Sequence, residues 1–243
     1  MAILIPQTPW AADMQATLQW SQRVELSTPV SGIVKKVYVE VGDKVKQGQV
    51  LLALDSTTYM AKVEENRSEI IRLDAEMAEE KRDLDRVQEL HDRTVISTTD
   101  LDQAKLRLVK SQSTLSEARA RLRQNQKALD DASIHAPFDA VVILRQAQPG
   151  LSVAAGLQPQ MLLTLARSGE MIARTYLPSP QMDDLKTGQT VTVIVAGTSY
   201  TGKIKTLGLE PIIIKEGSVY PVDVVFPSKE SLRAGASALV KLP

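Results

Sequence analysis

The chain has 243 residues, 43% apolar and 24% charged, with 29 basic and 29 acidic side chains and a formal net charge of zero. That balance suits an ordered protein and lacks the basic footprint that a phosphate backbone requires, so nucleic acid is not an expected partner. With no cysteine, disulfides, thiolate catalysis and Cys-based zinc sites are excluded, and two Phe, two Trp and five Tyr are too few for one large core, which predicts several small modules.

Residues 1–28 read as an N-terminal segment and a first barrel strand. The opening "MAILIPQTPW" has no basic region, no continuous hydrophobic segment and no small-residue cleavage site, and no run approaches the ~20 apolar residues of a membrane span. The sequence as it stands is therefore expected neither to export nor to anchor itself. Met14 to Thr28, "MQATLQWSQRVELST", alternates apolar and polar residues and reads as a strand belonging to a later module.

Residues 29–55, "PVSGIVKKVYVEVGDKVKQGQVLLALD", and residues 133–166, which contain "APFDAVVILRQAQPGLSVAAG", read as two halves of one β-domain. A constant offset of 108 residues aligns Pro29 with Pro137, Val34 with Val142, Gly42 with Gly150, Val45 with Val153 and Gly48 with Gly156. Both halves carry short alternating runs followed by Gly turns, the pattern of half-buried strands joined tightly. The second copy has Ala140 where the first has Gly32. The paired halves resemble a biotinyl or lipoyl carrier domain. A carrier presents a lysine at a tight hairpin tip, yet the first lysine past Asp55 is Lys62, inside a predicted helix, so no swinging cofactor is expected.

Between the halves, residues 56–132 hold a helical insertion; Thr57 to Asp131 contains neither Pro nor Gly. One break is predicted at "TVISTTD", where β-branched Thr94, Val95 and Ile96 end a helix and Ser97 to Thr99 offer the next N-cap. Leu101, Leu108, Leu115, Leu122 and Leu129 recur every seven residues, accompanied by Ala104, Ser111, Ala118, Asn125 and Ala132. The first arm answers with Val63, Ile70, Met77 and Leu84, accompanied by Asn66, Leu73, Glu80 and Val87. These seams predict an antiparallel coiled-coil hairpin. Charge on the arms, acidic on the first and basic on the second, fits cross-seam pairing and solvation.

Residues 167–243 change to "GQTVTVIVAG", "YTGKIKTLG" and "VYPVDVVFP", short strands punctuated by Gly and Pro, which predict a small antiparallel β-barrel. The fold class is α+β, elongated and multi-module. His91 and His135 lack a neighbouring ligand, the methionines do not cluster, and the adjacent acids Asp183 and Asp184 point apart, so no metal, cofactor or catalytic site is expected.

In this order the split carrier-like repeat, the inserted hairpin and the "LKTGQTVTV…GKI" barrel resemble the periplasmic adaptors, or membrane fusion proteins, of tripartite efflux pumps and type I secretion systems. The resemblance implies a non-enzymatic protein in the periplasm, associated with the inner membrane. Its implied partners are an inner-membrane transporter, an outer-membrane channel and further copies of itself. Adaptors of resistance-nodulation-division pumps carry at the hairpin tip an Arg, a Leu four residues on and a Ser or Thr seven beyond. Arg86, Leu90 and Ser97 stand at that spacing, which implies docking to the outer-membrane duct. A membrane-proximal module common in that subclass is expected to be absent or incomplete. An adaptor for an ABC or major-facilitator exporter, a carrier subunit of an enzyme, and a plain coiled-coil scaffold remain as alternatives.

Overall fold

The computed structural model describes residues 13–156, 159–214, 217–228 and 232–242. Residues 1–12, to which the reading of a missing leader applies, lie outside them. In chain order the strands and helices are β1 (Asp13–Trp20), β2 (Arg23–Leu26), β3 (Gly32–Val37), β4 (Lys44–Val45), β5 (Val50–Leu54), α1 (Thr57–Asp92) and α2 (Thr98–Asp130). There follow β6 (Ser133–His135), β7 (Ala140–Arg145), β8 (Ser152–Val153), β9 (Leu163–Arg167) and β10 (Glu170–Pro178). The chain continues through β11 (Thr190–Val195), β12 (Thr198–Leu207), β13 (Ile212–Ile214), β14 (Gly217–Pro227) and β15 (Ser237–Lys241).

Two four-stranded sheets, β2-β9-β7-β4 and β6-β5-β3-β8, close over one core and form a clasp built from both halves of the repeat. Val34, Leu51, Leu52, Leu54, Val142, Leu162, Leu163 and Leu165 are almost fully enclosed there. Each buried aliphatic chain of this kind contributes about 1.5–3 kcal/mol. The repeat is a physical exchange. Gly42 N–H donates to Val142 C=O at 2.8 Å, and at the same offset Gly150 N–H donates to Val34 C=O at 2.8 Å. Gly42 and Gly150 have φ of +98° and +87°. At Gly32 an added Cβ would come within 3.3 Å of Leu54 Cδ1, so that an alanine there, as at the matching Ala140, would require Leu54 to shift by a few tenths of an ångström.

A Cβ at Gly42 meets nothing within 4 Å, so the obstacle to a side chain there is backbone strain alone. Gly42→Val and Gly150→Val are each expected to lower stability by roughly 1–3 kcal/mol, read as a fall in the clasp's melting temperature. Melts matching the unmodified protein for both would remove the turn assignment.

The stretch Met14 to Thr28 is not one barrel strand. β1 pairs with β10 and β15, whereas β2 pairs with β9 in the clasp, and Ser21-Gln22 divide them. Six strands, β10-β1-β15-β11-β12-β14, close into a barrel because β14 also pairs with β10, and β13 prolongs the β14 side. Leu18, Val193, Val224, Phe226 and Val240 fill it.

Clasp and barrel are joined where the chain crosses at Trp20–Arg23 and again at Arg167–Glu170. Arg167 fastens the crossings. Its Nε and Nη2 donate to Gln22 Oε1 at 3.0 and 2.7 Å, and its guanidinium carbon lies 4.7 Å from the Phe138 ring centroid. Such stacking holds a planar cation without taking away its charge. Ser168 N–H donates to Asp139 C=O and Ser228 N–H to Gly169 C=O, both at 3.0 Å.

The two helices insert between β5 and β6 and run antiparallel. With 36 and 33 residues at 1.5 Å rise, each reaches about 50 Å. Every seam position predicted from the heptads on either arm is buried or half-buried. Leu73, Leu115 and Ala118 form its tightest cluster, flanked by Ile70 and Met77. Nearer the clasp, Asn125 Nδ2 donates to Asn66 Oδ1 across the seam. A polar pair at such a site is satisfied in one register only, so it fixes the arms against a heptad slip. Arg107 bonds Asp83 and Glu80, Arg119 bonds Asp74, and Arg121 lies 3.5 Å from Glu69, as the charge contrast between the arms predicts.

Candidate functional site: the hairpin tip

The turn between the arms is built from three local choices. Arg93 N–H still donates to Glu89 C=O, and Thr94 N–H closes on His91 C=O at 2.8 Å. Thr94 then takes φ +58°, a left-handed conformation unusual for a β-branched residue, and this reverses the chain. Val95 N–H returns to Leu90 C=O at 3.0 Å, and Ser97 starts α2 in an extended conformation.

Ser97 and Asp100 form a reciprocal cap. Asp100 N–H donates to Ser97 Oγ at 3.3 Å, while Asp100 Oδ2 accepts from Ser97 N at 3.2 Å and from Ser97 Oγ at 2.7 Å. The Ser97 hydroxyl bonds hold the Asp100 carboxyl below the usual carboxylate range, with the Ser97 backbone bond adding to this. A lowered carboxylate pKa stabilises the fold above the unfolded-state pKa, and that contribution disappears as pH falls through the folded value. Protection of the Asp100 and Leu101 amides, taken relative to their intrinsic exchange rate at each pH, is therefore expected to fall on acidification below the ordinary carboxylate range, and Asp100→Asn to flatten that dependence. An identical acid profile in both proteins would mean that the cap does not depend on this proton.

Arg86 and Leu90 are four residues apart on α1 and so share a face. They lie off the seam lined by Leu84, Val87 and half-buried His91. The Arg86 side chain is 63% exposed, its nearest carboxylate being Asp83 at 3.8 Å. Asp83 is already held by Arg107, whose pKa is raised mainly by that bond. Arg86 thus keeps most of its donors for a partner. Leu90 is 36% exposed.

Ser97 is also exposed, but its hydroxyl is committed to the cap. Its two bonds hold the turn in shape, a task the spacing of the three residues does not disclose. Val95, which the sequence reading gave no docking role, is 66% exposed at the apex, with its N–H bonded to Leu90 C=O. Its only signal was a pair of apolar residues, Val95 and Ile96, in the turn, of which the sequence does not say which is exposed. His91 Nδ1 is buried without a hydrogen-bond partner, 3.7 Å from Asp92 Oδ1, and belongs to the seam.

Elsewhere the described residues contain no group of three or more His, Asp or Glu arranged to hold a metal, and no helix long and apolar enough to cross a membrane. Lys62 lies within α1, on a rigid helix.

Residues 22–158 match the family described as the CzcB-like, barrel-sandwich hybrid domain. The chain belongs to the membrane fusion protein family. It is 32% identical over 208 residues to the pyoverdine export membrane fusion protein PvdR of Pseudomonas aeruginosa, covering 79% of this chain and 53% of that protein. Against the macrolide export protein MacA of Yersinia pestis it is 29% identical over 228 residues, covering 87% and 62%. This membrane fusion protein chain therefore spans a little over half the length of these two relatives. In fold it is similar to the membrane fusion protein Spr0693 of Streptococcus pneumoniae R6, with TM-score 0.75, 18% identity and coverage of 96% and 98%. The carrier-like clasp, the inserted hairpin and the barrel are thus the family's architecture.

Proposed function

We propose that the protein is a non-enzymatic periplasmic adaptor that links an inner-membrane transporter to an outer-membrane exit duct. In this reading the barrel faces the transporter and the hairpin tip faces the duct. The transporter is of the resistance-nodulation-division type, several copies act together in the assembled pump, and energy comes from the transporter. The carrying observation is the tip. Arg86 and Leu90 are exposed side by side off the seam of a rod, in a protein whose relatives PvdR and MacA are named for export. A guanidinium with free donors pairs with carbonyl or carboxylate groups at the end of another helical barrel, while Leu90 and Val95 bury apolar contact.

The test is affinity purification of the natural protein from cross-linked membranes, with its partners identified by mass spectrometry and its intact mass measured. Recovery of a resistance-nodulation-division transporter together with an outer-membrane channel is the expected result. An ABC or major-facilitator transporter in its place would change the transporter class and keep the adaptor reading. A soluble enzyme complex, or a biotinyl or lipoyl mass increment, would overturn it.

A further inference from the structure

An open cleft of about 420 Å³ lies at the joint between clasp and barrel. Trp20 and Met171 from the barrel and Leu232 from its last loop give it an apolar wall, and Lys44 from the clasp stands at its rim with Arg167 and Glu170. The two rim cations differ in their commitments. Arg167 is bonded to Gln22, stacked on Phe138 and 3.8 Å from Glu170 Oε1, so its charge is locally answered. Lys44 is exposed and, among the described residues, has neither an ion pair nor a side-chain hydrogen bond. Among the described residues the cleft thus combines an apolar wall with one rim cation, Lys44, that has no ion pair.

We infer that this cleft binds a small amphipathic monoanion, an acyl-chain carboxylate or its chemical equivalent, with the charged group at Lys44 and the apolar body against Trp20, Met171 and Leu232. Its volume lies within the range of small-molecule sites, which favour junctions between modules and combine apolar walls with few polar groups. Charge complementarity selects the sign of the ligand. A cation would meet Lys44, and a neutral chain would leave Lys44 without a counter-charge. The inference is independent of the adaptor reading, since it needs neither transporter nor duct. Because Lys44 and Val141 come from the clasp and Trp20, Met171 and Leu232 from the barrel, an occupied cleft also braces the joint.

The chain has two tryptophans, so Trp10→Phe leaves Trp20 as the sole indole reporter. Titration of that full-length variant with decanoate below its micelle-forming concentration is expected to give a saturable shift in Trp20 emission. Decanol should bind at least tenfold more weakly. Lys44→Ala should weaken decanoate at least fivefold and leave decanol unchanged. Calorimetric titration of the protein with both tryptophans in place supplies the same comparisons should Trp10→Phe disturb folding. A response that does not saturate, equal binding of decanoate and decanol, or undiminished decanoate affinity in Lys44→Ala would each overturn the proposal.

Discussion

On the proposed adaptor reading, Leu90→Asp and Arg86→Asp are each expected to abolish export when supplied to cells lacking this protein, while melting temperature and helix content are expected to stay at the level of the unmodified protein. The two halves of this expected result come from one geometric fact. Both side chains sit on an exposed face of α1 outside the seam, with Leu90 36% exposed and the Arg86 side chain 63% exposed. A charge placed on such a face costs the isolated protein about 0.5 kcal/mol or less. At a closed interface the same charge adds repulsion and desolvation of several kcal/mol, enough to lower occupancy by two orders of magnitude or more. The measurement is substrate sensitivity of the complemented strain, paired with cross-linking from the tip to the duct. Full complementation by both variants with undiminished cross-linking would mean that docking occurs elsewhere.

Leu115→Asp has the opposite signature. Leu115 is 3% exposed and packs with Leu73 and Ala118 at the tightest point of the rod. Removing its aliphatic bulk and setting a carboxylate against α1 is expected to destabilise the hairpin by about 3–5 kcal/mol. The loss stays within the rod, because clasp and barrel have separate cores. Circular dichroism should show reduced helix with an unchanged melt for the β-modules. Unaltered helix content would contradict the heptad register.

What the sequence disclosed is what repeats or alternates. The offset that aligns Gly42 with Gly150 is realised as exchanged hydrogen bonds, and the heptads of both arms became the seam. What it hid depends on single residues or distant pairings. Nothing in "MQATLQWSQRVELST" separates a barrel strand from a clasp strand, because both alternate; the division is set by which partner each half meets. The φ of Thr94 at the apex runs against the preference of its residue type, so no propensity argument finds it. Arg167 on Gln22 joins segments 145 residues apart in the chain, and the spacing of Arg86, Leu90 and Ser97 does not show that the hydroxyl is spent on a cap.

The hairpin also governs when the clasp can be completed. Ala53 and Ser133 are neighbours across β5 and β6, and Leu54 N–H donates to Ala132 C=O at 2.8 Å, yet residues 55–131 lie between them. Joining two ends of a flexible segment that long carries a closure entropy growing with the logarithm of its length. An antiparallel rod removes most of that cost, since local helix formation brings its own ends to one strand spacing. On the ribosome the core face of β5, which carries Leu51, Leu52 and Leu54, is not covered until β9 is made, roughly 110 residues later, or about 5–20 s at ordinary synthesis rates. Lys35, Lys36, Lys44 and Lys46, on and beside β3 and β4 just upstream of those apolar residues, supply like-charge repulsion that disfavours association between nascent chains during the wait.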